Sequence, residues 1–323
     1  MVKYRGRKFE RIGARYWSCL GILLVLLVLL VLGVLYSLSR SDNGLARITL
    51  AIASDPVVLL SWNRSSGQFI LVEIPADTVI EGVYGYGKYS LEALWRLGDI
   101  RKEDHKLLTK SLEQVLGIPV SYYLGIDKGV LPVNPDSIDT ARQLFSYRRI
   151  LAHAFGAGRW DMPLSVFMQL AWRVHFSRAD AFQAIRFSDT NALVDETLAD
   201  GQQVRVLHPQ RADPIIGNLF EDEAIRRERI RVAVYNTTQI AAMADGVARL
   251  LQHMGVFVVF VGNDNRQITQ CEVNGRKEAL ATKTARMIVT LLGCSRAEKT
   301  DVDRADLIVY IGSDQAKETN WGL

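Results

Sequence analysis

The sequence predicts a mixed α/β (α+β) protein held at a membrane by one amino-terminal helix. Three observations predict it: a charge-free apolar run near the start, strand-like runs of Ile, Leu and Val from Arg47 onward, and a closing stretch that alternates strands with glycine-stopped helices. The run from Tyr16 to Ser39 is 24 residues without a charge, mostly Leu and Val, with Trp17 and Tyr36 near its ends. As a helix it would reach about 36 Å at about 1.5 Å per residue, enough to cross a hydrocarbon core of about 30 Å with some tilt. Lys3, Arg5, Arg7, Lys8, Arg11 and Arg15 precede it against the single acid Glu10. Such a basic flank stays in the cytoplasm, so the amino terminus is expected inside and the carboxyl terminus extracytoplasmic. A cleaved signal peptide is the competing reading, but its apolar core is typically about 7–15 residues, shorter than this run.

The formal charge of +4 belongs to this tail. Set its six basic residues and one acid aside, and the rest holds 33 Lys and Arg against 34 Asp and Glu. That balance gives no case for a nucleic-acid partner. Of the three cysteines, Cys19 lies in the span, while Cys271 and Cys294 lie 23 residues apart in the exported part. Oxidation is allowed there, and either a disulfide or two free thiols fits the spacing. Closed, the loop would stabilise the fold by about 3 kcal/mol on the chain-entropy model.

The order of elements follows from pattern. RITLAIA, VVLLSW and FILVEIP read as strands, the last two joined by the turn NRSSGQ. EGVYGYGKY reads as a loop and SLEALWRLG as a helix. Lys106 to Leu116 is helical by the spacing of Leu107, Leu108, Leu112, Val115 and Leu116, with Gly117 as its stop. IPVSYYLGID is a further strand. Asp136 to Phe187 reads as largely helical, with Asp161 placed to cap a helix that begins at Pro163. VRVL is a short strand among turn residues, and EDEAIRRER a connector or solvated helix end. From Ile230 the pattern is strand, helix, strand, repeated in IRVAVYN to VFVVFVGN and in TQCEV to ADLIVYIGSD. The expected organisation is a cytoplasmic tail 1–16, a transmembrane helix 17–38, an external α/β domain 45–200, a linker 201–229 and a small α/β domain 230–318.

Few residues advertise chemistry. No GxSxG, HExxH, Walker loop or CxxC is present, and His153, Asp161 and Ser165 form no triad context. The GYGKY segment offers Lys88 to a phosphate and Tyr84, Tyr86 and Tyr89 to a sugar ring. Arg142, Arg148, Arg149, Arg159, Arg173, Arg178 and Arg186, interleaved with Trp160 and Trp172, could meet an anionic membrane or polymer, or be solvated arginines on a helical core.

Ile230 to Asp314 resembles a LytR C-terminal domain. The residues that carry the likeness are Val234-Tyr235-Asn236-Thr237 at the end of the first strand, Ile311-Gly312-Ser313-Asp314 at the end of the last, and Ala244 and Gly255 in the helix and its stop. Ala46 to Asp127 resembles the LytR-CpsA-Psr catalytic domain through SDPVVLLSW, ILVEIPADTVI and SLEQVLGIPVSYYLGID. Catalytic members of that family transfer glycopolymers from polyprenyl pyrophosphate carriers onto peptidoglycan with a divalent cation. The resemblance therefore implies Asp55 and Asp77 as catalytic and metal-binding acids, with Mg²⁺ as the cation if the site is catalytic. It also implies a pyrophosphate-binding arginine, because the guanidinium fork matches phosphate oxygens in pairs. This chain departs from the family there: position 76 is Ala, and the later arginine-rich segment has no counterpart, with Arg148 and Arg149, or Arg173 and Arg178, as the candidate substitutes. The expectation is a degenerate catalytic domain that binds a wall glycopolymer or polyprenyl-phosphate lipid without ordinary transferase activity. A transferase with a rearranged site, and an adaptor for envelope proteins, are the alternatives.

Overall fold

A computed structural model describes residues 21–26, 28–30, 33, 46–101, 106–126, 138–146, 159–197, 201–299 and 305–318. Residues 21–26, 28–30 and 33 are helical, and their leucines and valines face outward, as Leu23 at 66% exposure shows. Among the described residues no helix is long and apolar enough to cross a membrane. The remainder of the expected span and the basic tail lie outside the described residues.

The first domain contains β1 (Arg47–Ala53), β2 (Val57–Asn63), β3 (Phe69–Ile74), β4 (Val79–Gly82), β5 (Gly87–Ser90), α1 (Leu91–Arg101), α2 (Lys106–Leu116), β6 (Tyr122–Gly125), α3 (Ile138–Leu144), β7 (Arg159–Trp160), α4 (Leu164–Phe176), β8 (Phe182–Arg186), β9 (Leu193–Thr197), β10 (Gln203–Leu207) and α5 (Pro209–Phe220). A six-stranded sheet runs β7-β6-β1-β2-β3-β8, and a four-stranded one β5-β4-β10-β9. Every residue of β1 and β2 is buried because helices cover both faces of the larger sheet. Alternation sorts the side chains: Ala51, Leu59 and Val72 join one core with α1, α2 and α5, while Leu50, Leu60 and Leu71 join another with α3 and α4. A strand buried on both faces reads as a nearly continuous apolar run, which is why these three were easy to read; the buried exceptions Thr49 and Ser61 hydrogen-bond each other at 3.0 Å.

Four expectations change. EGVYGYGKY is a hairpin: β4 and β5 pair antiparallel, with Tyr84 and Gly85 at φ 61° and 73° in the turn. Paired positive φ values suit the strand twist of a tight hairpin, so the glycine-rich composition marks a turn inside a sheet. Asp136–Phe187 is only partly helical, since Phe182–Arg186 adds to β3 as a parallel edge strand. The cap position of α4 is Pro163 rather than Asp161, whose Oδ1 accepts the Tyr123 N–H at 2.6 Å and so ties the start of that helix to β6. Residues 201–229, expected as a linker, carry β10, α5 and α6 (Glu223–Glu228), and Leu207, Ala212, Ile216 and Phe220 complete the first core.

The second domain contains β11 (Arg231–Asn236), α7 (Met243–His253), β12 (Phe257–Asn263), β13 (Glu272–Gly275), α8 (Lys277–Leu280), α9 (Lys283–Leu292), β14 (Ser295–Glu298), β15 (Leu307–Ile311) and α10 (Ser313–Glu318), with strand order β12-β11-β15-β13-β14. The first expected unit is a parallel crossover, β11 to β12 over α7; the second differs, because β13 crosses over α8 and α9 to the parallel strand β14, while ADLIVYIGSD forms β15, antiparallel to β13. Met243, Val247, Leu250 and Leu251 of α7 and Ala285, Ile288 and Leu292 of α9 form the core stripe against the sheet. Strand β14 was not legible as a strand; SRAE is short and polar. Cys271 and Cys294 are joined by a disulfide between the ends of β13 and α9, which settles the choice the spacing left open.

The two domains meet at the end of α2. The Arg249 guanidinium donates to the carbonyls of Gln114 and Val115, both at 2.8 Å, and to Asp213 Oδ1 at 2.5–2.8 Å. His253 Nδ1 lies 3.1 and 3.0 Å from the carbonyls of Leu116 and Gly117. These are the carbonyls a helix leaves without partners at its last turn, and the second domain supplies the cation and donor they lack. Gly117 stands at φ 63°, and a Cβ there would come within 3.0 Å of both Arg249 and His253.

Candidate functional site

The antiparallel register of β1, β2 and β3, with Ile52 opposite Val58 and Val57 opposite Ile74, brings two turns to one end of the large sheet. Asp55 sits in the first turn and Asp77 in the second, both exposed. Ala76, between Pro75 and Asp77, is 5% exposed and packs in the first core. Its carbonyl accepts the Glu92 N–H at 3.0 Å, so the turn closes over the start of α1.

Arginines arrive at this end from distant strands. Pairing of β10 with β4 at Val206 and Val79 sets Arg205 beside Asp77, with Nη2 2.6 Å from the carboxylate. Arg186 stands opposite Glu73 on β3, 3.7 Å from its carboxylate and 3.9 Å from Asp189. Sequence reasoning missed Arg205 as a site residue, since it looked like the solvent-facing member of VRVL. Because Arg205 and Asp77 are both largely exposed, their pair adds about 0–1 kcal/mol to stability.

The hairpin beside them is occupied by a second network. Lys88 Nζ lies 2.9 Å from Glu196 Oε2, and His208 Nε2 lies 2.8 Å from Glu196 Oε1. The Lys88 hydrogen bond, then that of His208, holds Glu196 below the usual carboxylate range. A phosphate reaching Lys88 must therefore compete with Glu196. Tyr84 and Tyr89 are exposed at 39% and 41%, whereas Tyr86 is partly buried against the first core. Arg148 and Arg149 lie outside the described residues.

Among the described residues no three His, Cys, Asp or Glu side chains gather as a ligand set, and Arg205 holds the Asp77 carboxylate. Magnesium is usually held by one or two carboxylates together with substrate phosphates, so Asp55 and Asp77 would hold it only with Arg205 turned away and the ligand supplying further oxygens.

The motif residues of the second domain do structural work. Asn236 Nδ2 donates to the Ile240 carbonyl at 2.8 Å, and its Oδ1 accepts the Thr238 N–H at 2.9 Å. Thr237 Oγ1 donates to the Ile311 carbonyl at 2.7 Å, and Asp314 Oδ2 accepts the Cys271 N–H at 3.0 Å. A Cβ at Gly312 would meet the Thr269 carbonyl oxygen at 2.7 Å, so only glycine lets these turns close.

Residues 229–314 match the family model of the LytR cell envelope-related transcriptional attenuator. That is the family the segment resembles in sequence. The match covers this domain alone. No curated protein matches the chain by sequence. Among solved structures, Lin1025 of Listeria innocua is 13% identical, over 54% of this chain and 96% of that one, with a TM-score of 0.40. YvhJ of Bacillus subtilis is 10% identical over 54% and 95%, with a TM-score of 0.39. The LytR-CPS2A-psr family protein YwtF (TagT), solved with bound octaprenyl pyrophosphate lipid, is 14% identical over 55% and 90%, with a TM-score of 0.37. Likenesses at these scores carry no argument about the site, whose reading rests on its own geometry.

Proposed function

We propose that this is a membrane-anchored, extracytoplasmic protein of the cell envelope, and that its first domain binds a wall glycopolymer or its polyprenyl-phosphate carrier without ordinary transfer. The matched second domain supports the envelope setting, and the basic, apolar amino terminus supports a single span over residues 17–38 with the carboxyl terminus outside. The observation that carries the reading is at the sheet end. Where the resemblance calls for a pyrophosphate-binding arginine there is Ala76, sealed into the core, and the neighbouring Asp77 is neutralised by Arg205. That arrangement suits holding a phosphate-bearing ligand more than activating one.

Arg186 and Arg205 at the same end favour one second reading, a transferase whose arginines come from different strands. Binding is tested on the full chain in detergent, by native mass spectrometry with a polyprenyl pyrophosphate glycan. A complex is expected, and Arg205→Ala is expected to weaken it about tenfold, the loss of one charge-assisted contact of about 1.4 kcal/mol. A folded chain that takes up no glycan contradicts the proposal.

A further inference from the structure

A basic cleft lies between the two domains on the side where the chain enters β1. It has a volume of about 450 Å³ and is bordered by Ala46 and Arg64 of the first domain and by Lys283, Arg286 and Arg296 of the second. One acid borders it, Asp222, which is 2% exposed and spends its carboxylate on the Ala224 N–H at the start of α6. Nearby, Glu228 is committed to the N–H groups of Lys283 and Thr284 at 2.9 and 2.8 Å. Arg286 and Arg296 are exposed and make no ion pair among the described residues. The cleft therefore presents Arg286 and Arg296 without a counter-ion among the described residues.

Arg64 connects this cleft to an aromatic ridge. Its Nη2 donates to Gln169 Oε1 at 3.2 Å, and its guanidinium stands 5.8 Å from the Trp62 ring. Gln169 lies on α4, one turn from Trp172, which contacts Phe176 with ring centres 4.2 Å apart. Trp172 and Phe176 are 65% and 70% exposed, unusual for large rings on a helix whose opposite face fills a core. Only eight residues separate Leu38 from β1. At no more than about 3.6 Å each, they hold Ala46 within about 30 Å of the bilayer.

We propose that this face docks on the outer surface of the membrane that holds the span, with the phosphates of anionic lipid headgroups entering the cleft and Trp172 and Phe176 seated at headgroup level. The inference rests on the anchoring proposed above. Cationic side chains near a charged leaflet and aromatic rings at its interface are the two attractions such a surface needs. Docking here would fix the orientation of both domains, since the cleft is built from each.

The test uses the full chain in nanodiscs of phosphatidylcholine alone or with phosphatidylglycerol, read by hydrogen exchange over Lys283–Leu292. Exchange is expected to slow severalfold in the anionic discs, and raised salt should remove the difference. Arg286→Gln with Arg296→Gln should require about 30-fold more anionic lipid for the same protection, at about fivefold per cation. Trp172→Ser with Phe176→Ser, which touches no cleft cation, should also weaken protection. Equal exchange in both discs overturns the docking, as does protection that survives the arginine changes. Protection by inorganic phosphate in phosphatidylcholine discs, with none from phosphatidylglycerol, overturns the lipid as occupant. A chain that washes off both kinds of disc refutes the anchoring itself, a result separate from an anchored chain whose cleft ignores lipid.

Discussion

The residues that decide function sit where local sequence and distant partners meet. Asp77 was visible as an acid after Pro75-Ala76, but its partner Arg205 is 128 residues away and its neighbour network joins Lys88 to Glu196 across 108 residues. No local pattern encodes such pairs; the parallel pairing of β4 with β10 creates them. Tyr84 carries a different signal. A tyrosine at φ 61° is strained by about 1–2 kcal/mol relative to an ordinary conformation, and asparagine tolerates that region better. Tyr84→Asn is expected to raise stability by about 0.5–1 kcal/mol in urea titration while lowering glycan affinity. Unchanged affinity would remove the Tyr84 ring from the binding surface.

At the scale of elements, legibility followed burial. Strands β1, β2 and β3 were plain because both faces are mostly apolar, and α2 was plain because its stripe ends at Gly117. The β4–β5 hairpin was hidden by its glycines and tyrosines, and β8 by the arginine-rich, aromatic stretch around it. Helix α5 was lost because Pro209 and Pro214 look like turn residues, although Ile216 and Phe220 are fully buried, while the charged run left both a connector and a helix end open and proves to be α6. The contact between α7 and the end of α2 was equally invisible. It rests on Arg249, whose loss would leave helix-end carbonyls and Asp213 without their donor. Arg249→Ala is expected to cost about 2–4 kcal/mol in thermal or denaturant unfolding, with Arg249→Lys recovering part of it. A cost below about 0.5 kcal/mol would mean that the domains are held together elsewhere.

The whole molecule should register acid at this same joint. Burial, above all, pushes the His253 pKa below its usual value; Asp213 opposes the shift, Arg249 adds to it, and the carbonyls of Gly117 and Leu116 oppose it. The unfolded chain therefore binds that proton more readily than the folded one. The contribution is fully present above about pH 6.5 and declines as pH falls toward the depressed folded value. Melting temperature is expected to drop between pH 7 and 5, and His253→Gln should flatten that part of the profile. A profile unchanged by the substitution would place the acid sensitivity in other groups. The depressed carboxylates Glu196 and Asp306, held low chiefly by Lys88 and Arg231, lose their contribution only at lower pH, below about 4.5 for Glu196 and about 3.8 for Asp306.

The central claim is that the first domain holds a phosphate-bearing ligand without transferring it, and one measurement bears on it most directly. The full chain is incubated with a polyprenyl pyrophosphate glycan, peptidoglycan acceptor and Mg²⁺, and polyprenyl phosphate release and polymer transfer are followed in parallel with binding. The account predicts a stable complex and no turnover, with Ala76→Arg failing to create any because that side chain would have to enter the core. Turnover that disappears in Asp77→Asn would contradict it and make the protein a transferase with a rearranged arginine set.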